Sequence, residues 1–75
     1  MSTDFQFEIT HKSGLVDCLT VVADSLKSAW WTAQRLTGAG TVTTAKVRNP
    51  QAFGDSYWHS LDEARKLEHI ARVAA

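Results

Sequence analysis

Residues 5–11 alternate strictly, with Phe5, Phe7 and Ile9 on one face and Gln6, Glu8 and Thr10 on the other. That is the period-two pattern of a half-buried strand. Lys12-Ser13-Gly14 supplies a turn, and residues 15–23 return to an apolar, β-branched run with Leu19, Val21 and Ala23 as its inward set. Two such runs joined by a short glycine turn predict an antiparallel hairpin. The period then changes to helical: Leu26, Ala29, Trp30, Ala33, Leu36 and Thr37 share one side of residues 25–37, the side expected to pack on the hairpin. Asp24 or Ser25 is placed to cap the start of this helix, and Gly38 sits where a C-cap residue of positive φ belongs.

Residues 41–48, rich in Thr and Val, predict a third strand, which Pro50 ends because it lacks an N–H for the ladder. Residues 51–55 read as loop. Residues 56–59 fit either a short fourth strand or an extended lead-in to the last helix. Ser60-Leu61-Asp62-Glu63 is a capping box at the start of that helix, followed by a broad apolar face of Leu61, Ala64, Leu67, Ile70, Ala71 and Ala74. The pattern predicts an α+β fold of order ββαβ(β)α: an antiparallel three- or four-stranded sheet with two helices packed on one face, in one domain over residues 1–75. Ser25-Leu26-x-x-Ala29 recurs 35 residues on as Ser60-Leu61-x-x-Ala64. The same offset divides the chain into two ββα units, 5–38 and 40–74, which together share a core that one unit alone cannot close.

Composition narrows the function classes. The 75 residues contain eight basic and eight acidic side chains, so neither the basic excess of a general nucleic-acid binder nor the acidic excess of a DNA mimic is present. A lone Cys18 allows no internal disulfide and fits a reducing compartment. The absence of a long apolar run and of a signal-peptide pattern at Met-Ser-Thr-Asp-Phe adds the expectation of a cytoplasmic protein that makes no membrane contact.

No motif for catalysis or cofactor binding emerges. His11, His59 and His69 match no metal-ligand spacing, and Cys18 is expected to lie buried in a strand, where a thiol is unreactive. Gly38-Ala39-Gly40 follows a helix instead of opening one, unlike a phosphate-binding loop. No metal, cofactor or catalytic residue is therefore expected. Arg65, His69 and Arg72 line one flank of the last helix with Lys66 nearby. Asp62–Lys66 and Glu68–Arg72 are i,i+4 pairs, which favours a solvated face over a phosphate-binding stripe.

Trp31 is different. It is rotated about 100° from Trp30 onto the polar side, beside Lys27, Gln34 and Arg35. Trp and Arg are enriched at binding hot spots, so Trp31, Lys27, Gln34 and Arg35 form a candidate contact face. The alternative is that Trp31 packs under the Phe53 loop or against the other helix, or stacks on Arg35, within one molecule. Tyr57 and Trp58 form a second aromatic cluster that extends the same candidate patch.

The hairpin followed by Ala23-Asp24-Ser25-Leu26 and Ala29, then a strand and a terminal element, resembles in layout the small phage and mobile-element proteins, most of all compact type I anti-CRISPR proteins. The resemblance covers residues 5–48. It implies an inhibitor that docks on a Cas surveillance or nuclease subunit of the host and blocks DNA binding or nuclease recruitment. The leading expectation is a non-enzymatic protein-binding module of that kind. The alternatives are a small nucleic-acid-binding domain using Lys46, Arg48, Arg65, Lys66 and Arg72, or a structural domain whose exposed aromatics make a homodimer seam.

Overall fold

The structure, a computed structural model, describes residues 2–74; the side chains of Ala39 and Ala74 lie outside the described set. A hairpin comes first, β1 (Thr3–His11) and β2 (Val16–Ala23), in unbroken register from Thr3↔Ala23 to Thr10↔Val16. Gly14 turns it with φ of 89°. Helix α1 (Leu26–Thr37) follows, then a 3₁₀ turn (Ala39–Thr41), β3 (Val42–Arg48), the one-turn helix α2 (Pro50–Phe53), the two-residue β4 (His59–Ser60) and α3 (Leu61–Ala74). The sheet is antiparallel with order β2-β1-β3-β4. The architecture is therefore α+β: a four-stranded sheet with helices on one face.

Alternation on β1 makes the core one-sided. Phe5, Phe7 and Ile9 are buried with Val21 and Val47 from the neighbouring strands, under Leu26, Ala29 and Ala33 of α1 and Ala64 of α3. The expected inward set of β2 holds, with Val21 buried and Leu19 and Ala23 packed against the core. Trp30 leans on Phe7 at 5.6 Å between ring centroids. Among the described residues, the opposite face of the sheet carries no helix. Cys18, expected to be buried, lies exposed there, because its side chain points away from that of Leu19 on a strand covered on one side only.

Three further expectations change. Residues 51–55 are not all loop: the Asn49 side chain accepts from Ala52 N–H at 3.1 Å, Pro50 occupies the first turn, and Gly54 closes α2 in the left-handed region, a Pro-in, Gly-out helix signal. Leu36 is 71% exposed, because it lies at the rim of the α1 stripe, turned away from the core. Ile70 and Ala71 are also exposed, since the last turns of α3 run past a β4 of only two residues. The short fourth strand left open at 56–59 does form, but only at His59–Ser60, so Tyr57 and Trp58 stay outside it.

The caps behave largely as the sequence indicates. Ser25 accepts from Ser28 N–H at 3.2 Å, while Asp24 accepts from the Ser2 hydroxyl. Gly38 closes α1 with φ of 91° and donates its N–H to Gln34. Ser60 accepts from Glu63 N–H at 3.2 Å, but the Glu63 carboxylate is engaged by the His59 ring at 3.0 Å. A charged acceptor this close to an imidazole competes with the return bond of a capping box.

Candidate functional site

A concavity lies between α1 and α3. Its frame depends on one carboxylate: Glu68 of α3 accepts the N–H of Leu26, the first residue of α1, at 2.7 Å. A helix N-terminus has unsatisfied N–H groups and partial positive charge, so an acid from the neighbouring helix ties the two together. The other Glu68 oxygen lies 3.4 Å from the Arg72 guanidinium.

Above this tie opens a groove of about 700 Å³. Leu26, Trp30 and Leu61 give it an apolar floor. Lys27, Trp31 and Gln34 enter from α1, and Arg65, His69 and Arg72 from α3. Trp31 is 60% exposed, with the Arg35 guanidinium 4.8 Å from its ring centroid. The intramolecular Trp31–Arg35 stack is therefore formed, and Trp31 does not lie under the Phe53 loop. Exposed cation–π pairs contribute only about 0.5–1 kcal/mol, so a better partner for the indole displaces Arg35 at small cost.

The groove is electropositive. Lys27, Arg65 and Arg72 face it with a single acid, Glu68, which already serves the α1 terminus. Asp62 reaches Arg65 at 3.7 Å, across an i,i+3 spacing, instead of pairing with Lys66. Both side chains are well exposed, and such a pair contributes little stability, so Arg65 exchanges Asp62 for a partner's carboxylate at small cost.

The remaining predicted residues lie elsewhere. Lys46 and Arg48 belong to the open face of the sheet, where Arg48 donates to Gln6 Oε1 at 2.7 and 3.1 Å. Its guanidinium also stands 5.3 Å from the Trp58 ring centroid. Trp58 is thus drawn to the sheet's open face, away from the groove; Tyr57 is exposed in the preceding loop, and neither lines the groove with Trp31. Lys66 is exposed on α3 and does not line it either. The expected single aromatic patch is two patches. The basic residues of the nucleic-acid alternative divide in the same way, Arg65 and Arg72 in the groove, Lys46 and Arg48 on the sheet.

Two histidine clusters that no metal-ligand motif had singled out are built into the fold. His11 is buried, with Nε2 2.7 Å from Asp17 Oδ2 and Nδ1 2.7 Å from Thr41 Oγ1. It clamps β1, β2 and the turn before β3 beside a shallow cleft. The Thr41 hydroxyl also lies 3.0 Å from the Gly38 carbonyl. His59 is buried between Asp55 (2.7 Å) and Glu63 (3.0 Å) and packs edge-on to Phe53 at 5.8 Å. The Asp55 hydrogen bond is the main cause that raises its pKa above the ordinary 6.5, and the Glu63 bond adds to it. The i,i+4 spacing of Asp55, His59 and Glu63 was a visible signal; the His11–Asp17 contact needed the hairpin register. Among the described residues no group of three or more His, Cys, Asp or Glu is placed to hold a metal ion, and no helix is long and apolar enough to cross a membrane.

Fold and groove together define a small α+β domain with an aromatic, electropositive cleft between two helices. Comparison with protein-family models, curated proteins and solved structures finds no match.

Proposed function

We propose that the protein is a non-enzymatic protein-binding module that holds an acidic segment of a partner in the α1–α3 groove. The supporting observation is the convergence there of exposed Trp31 with Lys27, Arg65 and Arg72 over an apolar floor. An aromatic anchor beside cations is the composition of interface hot spots. The groove suits a segment that presents one apolar or aromatic side chain flanked by carboxylates. In its narrower form, which rests on the resemblance in layout, the proposal is a phage-encoded inhibitor whose partner is a subunit of a host type I CRISPR–Cas complex, met in the host cytoplasm.

The test is titration of the protein against purified type I surveillance and nuclease subunits. Trp31→Ala is expected to leave Tm nearly unchanged and to weaken binding at least about 30-fold, the equivalent of roughly 2 kcal/mol at a hot spot. Undiminished binding by Trp31→Ala removes the groove from the interface. Binding to no subunit removes the narrower form.

A further inference from the structure

We propose that β2 is a self-pairing edge, through which two copies of the chain join their sheets about a twofold axis centred on Leu19. The proposal is independent of the groove and of its occupant.

The backbone sets the geometry. Leu15 accepts from His11 N–H at 2.9 Å, so Leu15 turns its polar groups toward β1. Antiparallel ladders alternate, and the β1–β2 register runs unbroken. Asp17, Leu19 and Val21 therefore also bond to β1, while Val16, Cys18, Thr20 and Val22 direct their N–H and C=O groups outward. β2 is the last strand on its side of the sheet, so among the described residues these groups form an unpaired row.

Edges of this kind are ordinarily blunted by Pro, Lys, bulges or short length. β2 is eight residues long, without Pro, Lys, Arg or a bulge. Its one charge, Asp17, is held by His11. The opposite edge differs: β4 has two residues and β3 runs past it, an interrupted template.

The exposed apolar side chains follow the same edge. Val16 is 48% and Val22 65% exposed on the open face, at the two ends of β2, and Leu15 is exposed just before its start. Leu36 belongs to the same side by helical geometry. Gln34 lines the groove facing α3, and Leu36 is rotated about 160° from it at roughly 100° per residue. That places Leu36 on the flank of α1 nearer the β2 edge.

A second copy fits this edge because the strand is self-complementary. Antiparallel pairing about Leu19 sets Val16 opposite Val22, Cys18 opposite Thr20, and Asp17 opposite Val21. Every outward-turned residue then meets an outward-turned residue, and the aliphatic ends coincide. No like charges are opposed, and a net charge of zero adds no long-range repulsion. Twofold pairing also closes on itself at two subunits.

Sedimentation equilibrium from micromolar to millimolar concentration tests the proposal, with far-UV circular dichroism as the control for folding. The wild type is expected to move from the 8.3 kDa monomer toward twice that mass. Val16→Lys with Val22→Lys opposes lysines across the seam and is expected to leave a folded monomer throughout. Val16→Lys with Val22→Glu opposes lysine to glutamate in this register alone and is expected to restore the dimer. In the wild type, the amide hydrogens of Cys18 and Thr20 exchange more slowly as concentration rises. A monomer at all concentrations, as an edge reserved for a peptide of another protein would give, overturns the proposal. So does a dimer that survives the paired lysines, or a failure of the lysine–glutamate pair to restore it.

Discussion

His59 is the residue whose surroundings most constrain its chemistry. A neutral imidazole has one N–H, yet both ring nitrogens face carboxylates, Asp55 at 2.7 Å and Glu63 at 3.0 Å. Only the imidazolium donates to both, which is why its pKa is raised. The Asp55 carboxyl is correspondingly held below its ordinary 3.8, chiefly by the His59 hydrogen bond. The signs follow from linkage. The stabilisation from His59 is fully present below its unfolded value of 6.5 and is lost as pH rises through the raised folded value. That from Asp55 is present above 3.8 and is lost as pH falls through the lowered value. Thermal melts are thus expected to show Tm declining on the alkaline side of 6.5, and His59→Gln to flatten that decline. An equal slope in both proteins would show that His59 does not carry it.

Asn49 gives the second prediction at this scale. It is 1% exposed, caps α2 through Ala52 N–H and donates to Thr3 Oγ1 at 2.8 Å. Asn49→Ala removes a cap and strands the part-buried Ala52 N–H, so a loss of about 1–3 kcal/mol is expected in chemical denaturation.

At the scale of elements, α1 holds two leucines of opposite consequence. Leu26 is almost fully buried, Leu36 largely exposed, although both fall on the apolar stripe of the sequence. Leu26→Ala is expected to cost about 2–5 kcal/mol, as a cavity in a packed core does. Leu36→Ala, compared at concentrations that keep the chain monomeric, should stay within about 0.5 kcal/mol. Denaturant midpoints at unchanged m-value make the comparison. The α1–α3 tie is the other testable element. Glu68→Ala leaves Leu26 N–H without its acceptor and is expected to cost about 1–3 kcal/mol, measured in the same way. It should also change the groove more than Trp31→Ala does, because it loosens a wall and not a single side chain.

At the scale of the whole molecule, the basic residues divide between two surfaces. Lys46 and Arg48 lie across the sheet from Arg65 and Arg72, and Arg48 is occupied by Gln6 and Trp58. A continuous phosphate track is therefore not assembled. The domain is expected to show no measurable affinity for generic DNA or RNA in a low-salt titration. Binding that falls steeply with added salt would instead reveal several phosphate contacts and restore the nucleic-acid reading.

What the chain determined locally is what depends on neighbours within a few residues. The alternation of Phe5, Phe7 and Ile9 set the buried face of β1. Gly14 marked the hairpin turn, Asp24 or Ser25 and then Ser60 the helix starts, and Gly38 a helix end. The 100° rotation between adjacent helical residues separated Trp30, on the core, from Trp31, outside it. Tertiary structure decided everything that depended on how far the sheet extends and which elements meet. A sheet covered on one side exposes Cys18, and a two-residue β4 leaves Ile70 and Ala71 without a partner surface. Arg48 draws Trp58 to the sheet's open face, and Glu68 brings α3 against the start of α1, so that Arg65 and Arg72 share a groove with Trp31. Periodicity states which way a side chain points from its own backbone; only the packed neighbours decide what it meets there.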